Sequence, residues 1–434
     1  MRTLIKNGRV VSNGRLQKAD VLVEDQQISA IASQLAETTV AERIIDAQNQ
    51  LVLPGLVDVH VHFRDPGLTE KEDVTTGSQA ALRGGYTTVL TMPNVNPVPD
   101  DPTRLAKMIA HNQQVGRVHI GQYAAVTKNR TSDQLVDFAA LKEAGAVAFS
   151  NDGNGVQSAQ TMYRAMQALQ KIDLPLAAHV EDESLMQHGV MNAGARAQEL
   201  GLPGIDELAE TAQLARDLEI ARKTGVHYHV CHVSTARGVE LIRRAQRDGV
   251  WVTAEVAPHH LFLDEQMITK DNPMLKMNPP LRRLADRQAL LAGLLDGTIS
   301  MVATDHAPHT DADKAGSMKT AAFGITGLET AFALLYTKLV KPGICSVGQL
   351  INWMSTNPAQ AFQLRKAGNL TVGAVADLTI VDVDHEYEID AAAMASKGHN
   401  SPLIGQRVYG QSQLTMVAGQ IKFERRGILK WSVI

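Results

Sequence analysis

The segment Val57-Asp58-Val59-His60-Val61-His62 places two histidines two residues apart in a run that alternates with valine. Alternate residues of a β-strand point to the same side, so the two imidazoles share a face. Neutral imidazole is a common ligand of zinc and other transition metals. The segment predicts a metal site at a strand end, although such a pair is equally typical of two structural histidines.

Three more residues of metal-binding type stand at the ends of apolar runs far away in the sequence. His179 and His232 each close such a run, and Asp305 directly follows another. If these runs are strands of one barrel, their carboxyl ends meet around a single mouth. His60, His62, His179, His232 and Asp305 would then form a mixed nitrogen and oxygen ligand set, which predicts a metal centre there.

The elements that must position these residues alternate between strand and helix. Eight apolar runs are candidate strands: Val57–His62, Thr87–Met92, His119–Ala124, Ala146–Phe149, Leu176–His179, His227–His232, Trp251–Glu255 and Ser300–Thr304. Segments of helical periodicity lie between most of them: Thr103–Gln114, Ser132–Ala144, Asp206–Thr224, Ala236–Asp248 and Asp286–Asp296. The alternation predicts an α/β fold, a (β/α)8 barrel of the TIM type. A doubly wound open sheet is the alternative.

The two ends of the chain show short β-branched runs separated by turns such as Asn7-Gly8 and Asn13-Gly14. Neither end is long enough to bury a good core alone. We therefore predict one small composite β-sandwich domain formed by residues 1–52 and 365–434. The catalytic (β/α)8 barrel, residues 53–364, is inserted between its two parts.

The composition excludes several classes of protein. The 434 residues are 44% hydrophobic and 20% charged, which is typical of a globular chain rather than a disordered one. A net charge of −4 and 4% aromatic residues argue against nucleic-acid binding. Two cysteines and the absence of a signal peptide or a membrane-length apolar run predict a cytoplasmic protein without a membrane partner.

Four segments resemble motifs of the amidohydrolase superfamily, and within it those of the dihydroorotases. They are PGLVDVHVHFRDPG at 54–67, MPNVNP at 92–97, MNPPLR at 277–282 and ATDHAPH at 303–309. The resemblance covers essentially the whole chain, including the divided β-domain. It implies a binuclear zinc site that opens or closes a cyclic amide.

The sequence departs from many members of the superfamily at strand 4. Two neighbouring cations repel each other unless an anion bridges them, and many relatives use a carboxylated lysine for this purpose. The segment 146–153 contains no lysine, but Asp152 resembles the bridging aspartate of one class of bacterial dihydroorotases. The alternative is an ordinary aspartate in an Asn-Asp-Gly turn. The implied ligands of up to two Zn²⁺ ions are His60, His62, Asp152, His179, His232 and Asp305.

The resemblance also implies that Arg64, Asn94 and His309 surround a carboxylate of a small-molecule substrate. A guanidinium makes bidentate contacts with a carboxylate, and an amide adds a directional donor. The alternative for Arg64 is an ion pair with a nearby aspartate. The implied substrate-binding residues are His62, Arg64, Asn94, Asn278, His309, Phe323 and Gly324, and the loop 310–322 is predicted to be a mobile lid.

The implied reaction is the reversible cyclisation of N-carbamoyl-L-aspartate to L-dihydroorotate, a step of de novo pyrimidine biosynthesis. A metal-bridged hydroxide would attack the ring carbonyl in the hydrolytic direction, with Asp305 as the general base and acid. The alternatives are another cyclic amidohydrolase (a hydantoinase, dihydropyrimidinase or allantoinase) and an inactive relative that acts as a scaffold. The sequence leaves open a homodimer and an association with aspartate transcarbamoylase. We expect His229 to pack between a strand and a helix.

Overall fold

The computed structural model describes residues 1–37, 39–425 and 430–433, the last of these through their backbone. Within these residues, a barrel of seven parallel strands lies at the centre of the molecule. Its strands are β6 (Leu56–Val61), β7 (Tyr86–Thr91), β8 (His119–Gln122), β9 (Leu176–Ala178), β12 (Tyr228–Val230), β13 (Val252–Val256) and β14 (Met301–Val302). The remaining strands lie in a sheet formed by the two ends of the chain and in one short pair.

Single bridging residues close the barrel. Phe149 bridges Ala124 on one side and Leu176 on the other, so it takes the fourth strand position. A parallel bridge between Val61 and His306 joins the last strand to the first. This closure confirms the predicted (β/α)8 fold class and excludes the open doubly wound sheet.

The helices surround this barrel. They are α1 (Val74–Arg83), α2 (Pro102–Val115), α3 (Phe138–Glu143), α4 (Ala159–Gln170), α5 (Ala195–Leu200), α6 (Leu208–Thr224), α7 (Ala236–Arg247), α8 (Pro258–Phe262), α9 (Leu284–Leu295), α10 (Ala331–Leu335), α11 (Val347–Ile351) and α12 (Asn357–Ala361). Side-chain caps fix several of their starts, as at Asp101 and Thr235, which accept hydrogen bonds from the first-turn N–H groups. None of the helices in the described part of the chain is long and apolar enough to cross a membrane.

Two of the predicted elements are wrong in extent. The segment Ala146–Phe149 is not a full strand, because its only bridging residue is Phe149, although the Val147 N–H also donates to the Gln122 carbonyl. The helix predicted from Ser132 starts at Phe138, because the Asp137 carboxylate accepts the Ala140 N–H and caps the helix there. Before that cap, Thr127 and Leu135 form an antiparallel bridge.

Strands from both ends of the chain share one sheet. From the first part come β1 (Arg2–Ser12), β2 (Arg15–Glu24), β3 (Gln27–Ala32), β4 (Arg43–Asp46) and β5 (Leu51–Pro54), and from the last part β15 (Leu378–Glu388), β16 (Arg407–Val417), β17 (Gln420–Glu424) and β18 (Lys430–Val433). The main path runs β17-β16-β15-β5-β1-β2-β3, with β4 pairing β1 and β18. A separate short pair, β10 (Met191–Asn192) and β11 (Gly204–Ile205), lies between α4 and α6.

The composite sheet has a core of its own, in which Ile5, Val21, Val52, Ile380 and Leu414 are fully buried. The strand β5 continues two residues past the predicted boundary at residue 52 before the chain enters the barrel. We propose that residues 1–52 with 365–434 form one domain and residues 53–364 the other. Residues 38, 426–429 and 434 of the first of these domains lie outside the described part of the chain.

The inside of the barrel is filled by side chains from strands around its whole circumference. Val57, Leu90, Tyr123 and Met301 belong to one buried cluster, which also includes Phe362, just after α12. The Phe362 ring lies 6.1 Å from the Tyr123 ring. The barrel is a packed core, so the open space for chemistry lies at the carboxyl ends of its strands.

Candidate metal centre and substrate cleft

Six buried side chains meet where the barrel strands end. His60 lies in β6 and His62 directly follows it, and each of the other four follows a different strand position. These side chains are His60, His62, Asp152, His179, His232 and Asp305. The structure therefore brings together every residue that the sequence analysis nominated as a metal ligand.

Their ligand atoms form two groups of three. His60, His62 and Asp305 have ligand atoms within 4.8 Å of one another, and Asp152, His179 and His232 form the second group. The His62 Nε2 atom lies 3.0 Å from Asp305 Oδ1, and His179 Nδ1 lies 2.9 Å from His232 Nε2. Each group is of a size that one divalent ion can occupy with nitrogen and oxygen ligands.

The Asp152 carboxylate lies between the two groups. Its Oδ1 atom is 3.3 Å from His60 Nε2, 3.6 Å from His179 Nδ1 and 3.6 Å from His232 Nε2. Its Oδ2 atom is 3.5 Å from His62 Nε2. One carboxylate thus faces all four imidazoles, as a group bridging two cations would.

Hydrogen bonds on the far side of two imidazoles decide which nitrogen faces the cluster. The Nδ1 atom of His60 lies 2.5 Å from Glu255 Oε1, and that of His62 lies 2.8 Å from Asn94 Oδ1. These contacts engage the Nδ1 atom of each ring and leave Nε2 as the nitrogen that faces the cluster. Such outer contacts fix the orientation of metal-ligating histidines and raise their basicity.

The donor set fits a divalent cation. His60 Nε2 and Asp152 Oδ1 are buried and have no hydrogen-bond partner, which is costly unless a ligand completes them. Burial opposes ionisation of Asp152 and Asp305, but the imidazoles outweigh it and hold the pKa of each carboxyl below its ordinary value. Against the effect of burial, Asp152 and Glu181 raise the pKa of His179 to about 10. The carboxylates therefore favour positive charge among the imidazoles, which metal ions supply.

Three residues of this region adopt backbone conformations that L-residues rarely adopt. The φ angles are 60° at Arg64, 32° at His232 and 49° at Asp305. Each such residue costs about 1–3 kcal/mol and persists only where its surroundings impose it. The strain lies at the residues that direct side chains into the cluster and the adjacent cleft.

The seven predicted substrate residues line one cleft beside the cluster: His62, Arg64, Asn94, Asn278, His309, Phe323 and Gly324. The buried Arg64 guanidinium donates from Nε to the carbonyl of Pro308 at 3.3 Å, and its Nη2 atom lies 3.3 Å from His309 Nε2. The predicted alternative, an ion pair of Arg64 with a neighbouring aspartate, does not occur among the ion pairs of the described residues.

The cleft beside Arg64 is positively charged at neutral pH. Burial lowers the pKa of Arg64 to about 10, so the guanidinium remains protonated. Burial and the Arg64 charge lower the pKa of His309 to about 3, so the imidazole is neutral. A cationic guanidinium beside a neutral imidazole is suited to binding a carboxylate.

The loop 310–322 is tied down by two lysines in this structure. The buried Lys314 ammonium donates to the carbonyl oxygens of Lys276, Ala322 and Gly324 at 2.8–3.1 Å. Lys276 Nζ donates to Ala321 O at 2.6 Å and lies over the Phe323 ring. These bonds attach the loop to the backbone beside the cleft, although none of its residues lines the cleft, and its role as a mobile lid stays a prediction.

Sequence reasoning missed two buried acids. Glu255, at the end of β13, contacts His60 and His229, and Glu181 lies 3.4 Å from His179 Nε2 and accepts a hydrogen bond from the Asn278 amide. A signal for Glu255 was present, because a carboxylate inside an apolar strand must find a partner.

The expected position of His229 is wrong. Its side chain lies inside the barrel, with Nε2 3.0 Å from Glu255 Oε2 and its ring 5.0 Å from that of Phe362. The prediction counted strand alternation back from His232. That count fails because β12 ends at Val230 and His232 has a left-handed backbone.

Comparison with known proteins gives a consistent set of relatives. A family model described as dihydro-orotase-like matches residues 49–238. A dihydroorotase of Pediococcus pentosaceus is 70% identical over 427 residues, which cover 98% of this chain and 100% of the relative. A dihydroorotase of Lactiplantibacillus plantarum is 61% identical, over 98% of this chain and 99% of the relative.

Solved structures with a similar fold include cyclic amidohydrolases. The L-hydantoinase of Arthrobacter aurescens superposes with a TM-score of 0.86 at 28% identity, covering 97% of this chain and 96% of that chain. A D-hydantoinase superposes with a TM-score of 0.84 at 24% identity, covering 97% and 95%, and this likeness concerns the fold alone.

Proposed function

The chain belongs to the dihydroorotase family, and from this we propose that its barrel mouth interconverts N-carbamoyl-L-aspartate and L-dihydroorotate with up to two zinc ions bound. The ligands of those ions are His60, His62, Asp152, His179, His232 and Asp305. The observation that carries the proposal is the Asp152 carboxylate facing four imidazoles directly beside the Arg64 cleft.

Zinc at such a site lowers the pKa of water towards neutrality and polarises a carbonyl group. His60 and His62 present their Nε2 atoms to the cluster, because their Nδ1 atoms are engaged by Glu255 and Asn94, and these Nε2 atoms would hold the metal. Asp152 supplies the negative charge that lets two cations lie close together. These residues hold the reacting groups but do not transfer a proton.

Asp305 is the proton-transfer residue. Its carboxylate is ionised, since the imidazoles hold its pKa low, and it lies at the cleft. In hydrolysis its carboxylate accepts the proton of the attacking water and returns it to the departing ring nitrogen. In cyclisation the same group moves the proton in the opposite direction.

Arg64, Asn94 and His309 recognise the carboxylate that distinguishes dihydroorotate from the plain dihydropyrimidine ring. Asn278, Phe323 and Gly324 contact the polar edge of the ring. In this proposal the loop 310–322, which is bonded to Gly324 through Lys314, acts as the lid beside the cleft.

Parallel assays of the purified protein with L-dihydroorotate and hydantoin test this function. We expect turnover of dihydroorotate and little turnover of hydantoin. Equal turnover of both rings would favour the hydantoinase alternative, and no bound metal with no turnover would favour a scaffold.

The direction of the reaction provides a second test of the same function. N-carbamoyl-aspartate carries two carboxylates and dihydroorotate carries one, so cyclisation consumes a proton. The equilibrium ratio should therefore shift about tenfold towards the open form for each unit of rising pH, well above the carboxylate pKa values. A ratio that does not change between pH 6 and pH 8 would show that the reaction is misassigned.

A further inference from the structure

We propose that Asn400 is a positioning residue for substrate recognition, because it fixes the backbone on both sides of the carboxylate-binding cleft. Asn400 is far from the barrel in sequence, between β15 and β16, yet it is buried against the cleft. The inference rests on the proposed function, since it assigns Asn400 to the cleft that binds the substrate carboxylate.

The Asn400 amide joins two separate segments of the cleft. Its Oδ1 atom accepts the His309 N–H at 2.9 Å. Its Nδ2 group donates to the carbonyl oxygens of Ala307 and Gly324, both at 3.0 Å. One side chain thus links the segment after β14, which carries His309, to the segment just after the loop 310–322, which carries Gly324.

These bonds satisfy both the oxygen and the NH2 group of the Asn400 amide. The acceptor oxygen faces an N–H group, and both amide hydrogens have a carbonyl partner, so the orientation of the amide is determined by its surroundings. The backbone carbonyl of Asn400 also accepts the Thr326 N–H at 3.0 Å. Without this side chain, buried groups of the cleft backbone would lose their partners.

The held segments carry the side chains that contact substrate in our proposal. The His309 Nε2 atom lies 2.8 Å from the Phe323 carbonyl and 3.3 Å from the Arg64 guanidinium. A shift of the His309 backbone would therefore move the imidazole away from Arg64 and Phe323 together. Asn400 itself does not line the cleft, so its effect on substrate must act through these neighbours.

The segment that carries Asn400 is itself anchored, which makes it a fixed support. The Ser396 hydroxyl donates to Glu72 at 2.5 Å, and Lys397 Nζ donates to the Thr69 carbonyl at 2.6 Å. The Glu329 carboxylate accepts the N–H groups of Ala395 and Ser396. Two separate parts of the barrel, the connection after β6 and the residue Glu329 before α10, thus hold the segment 395–400 in place.

The backbone at Gly398 passes close to the same contact. A Cβ atom at this position would lie 2.7 Å from Asn400 Oδ1, 2.7 Å from Pro308 Cβ and 2.8 Å from the His309 nitrogen. A side chain there must push the segment away from His309, so G398A provides an independent way to disturb the same support.

The test compares steady-state kinetics of the full-length metal-loaded wild type with N400A and G398A, using L-dihydroorotate as the substrate. We expect KM to rise at least tenfold in both variants while kcat stays within threefold and the metal content per chain is unchanged. The control is S401A, a buried neighbour whose hydroxyl accepts a hydrogen bond from the Leu403 N–H of its own segment, and its KM should match the wild type.

The outcomes separate the inference from the proposed function. A KM within twofold of the wild type in folded N400A and G398A, or a fall in kcat alone, would overturn the positioning role. If N400A does not fold, G398A decides the question by the same KM criterion. A wild-type protein that is folded, carries metal and does not turn over dihydroorotate would overturn the proposed function instead.

Discussion

At the scale of single residues, the candidate metal centre is organised around charge balance. Asp152, Asp305 and Glu255 place three buried carboxyls among histidines, and their low pKa values keep them ionised. Buried charge of one sign is expensive unless it is paired or coordinates a metal. Removing one member of this set should therefore change metal binding before it changes the fold.

Replacing Asp152 with alanine should lower the metal content and abolish activity. The four imidazoles would lose the carboxylate that they share, and two cations would repel each other without it. Metal per chain, measured by elemental analysis, checks this prediction, with the exposed D248A as a control that should keep its metal. Full metal content and activity in D152A would rule out the bridging role.

Replacing Arg64 with methionine should raise the KM for dihydroorotate by a factor of several tens, while the metal stays bound. The substrate carboxylate would lose a buried cationic partner, and an unpaired charge of this kind costs about 1–3 kcal/mol or more. Competitive inhibition by 5,6-dihydrouracil, which lacks the carboxylate, should change little in the same variant. An equal weakening for both rings would show that Arg64 does not read the carboxylate.

Replacing Glu255 with glutamine should weaken zinc binding about 10–100-fold, as expected when the outer partner of a metal-ligating histidine is changed. Glu255 accepts from His60 Nδ1 and so keeps the other nitrogen free for the metal. Competition with a chromophoric chelator measures the affinity, and the exposed E219Q is the matched control. Wild-type affinity in E255Q would mean that other contacts fix the His60 ring.

At the scale of elements, the sequence predicted strand ends better than the loops beyond them. His60 and His62 could be placed at one site because they stand two residues apart at the end of β6, although the pairing of β6 with β7 is irregular between Asp58 and Val61. His229 could not be placed from His232, because the chain leaves β12 between them. The contact of Asn400 with His309 leaves no local pattern at all, since 91 residues separate the two.

The start of α10 and the segment 395–400 are coupled through Glu329, and this coupling should make stability depend on pH. Burial outweighs the N–H bonds from Ser396 and Ala395 and raises the pKa of Glu329 to about 7. The folded protein then binds this proton more tightly than the unfolded chain, so the free energy of unfolding falls as pH rises from about 4.5 through about 7.

E329Q removes the buried carboxyl that must ionise as pH rises. The variant should therefore become more stable relative to the wild type at higher pH. We expect a gain of about 1–2 kcal/mol between pH 5 and pH 8, below the value for a fully buried group because Glu329 is partly exposed. Thermal midpoints at both pH values measure the difference, with the exposed E143Q as control. A variant-minus-wild-type difference that does not change with pH would contradict this assignment.

At the scale of the whole molecule, the barrel is a packed core. The candidate metal centre lies at the carboxyl ends of its strands, and Phe362 lies at the opposite end. Phe362 lies against Tyr123, His227 and His229 and is almost completely buried. The alternation of strands and helices allowed the barrel to be predicted, because few folds other than a barrel contain eight consecutive strand-helix units. Its closure depends on single bridges at Phe149 and His306, which periodicity does not reveal.

Replacing Phe362 with alanine should destabilise the protein by about 3–5 kcal/mol, because a cavity would open beneath the barrel core. F362L retains much of the volume and should lose clearly less. Thermal midpoints of the two variants and the wild type provide the comparison. Equal midpoints in F362A and F362L would mean that the space refills without cost.

The composite sheet cannot be completed until almost the whole chain has been synthesised. β5 is made early, but its partner β15 begins at Leu378, 324 residues after Pro54. At about 5–20 residues per second, β5 remains an unpaired edge for roughly 15–65 s on the ribosome. All six proposed metal ligands are translated within that interval, whereas Asn400 comes after it. A prematurely terminated chain would therefore carry a full set of ligands and an open edge, making it a target for chaperones and proteases rather than a smaller enzyme.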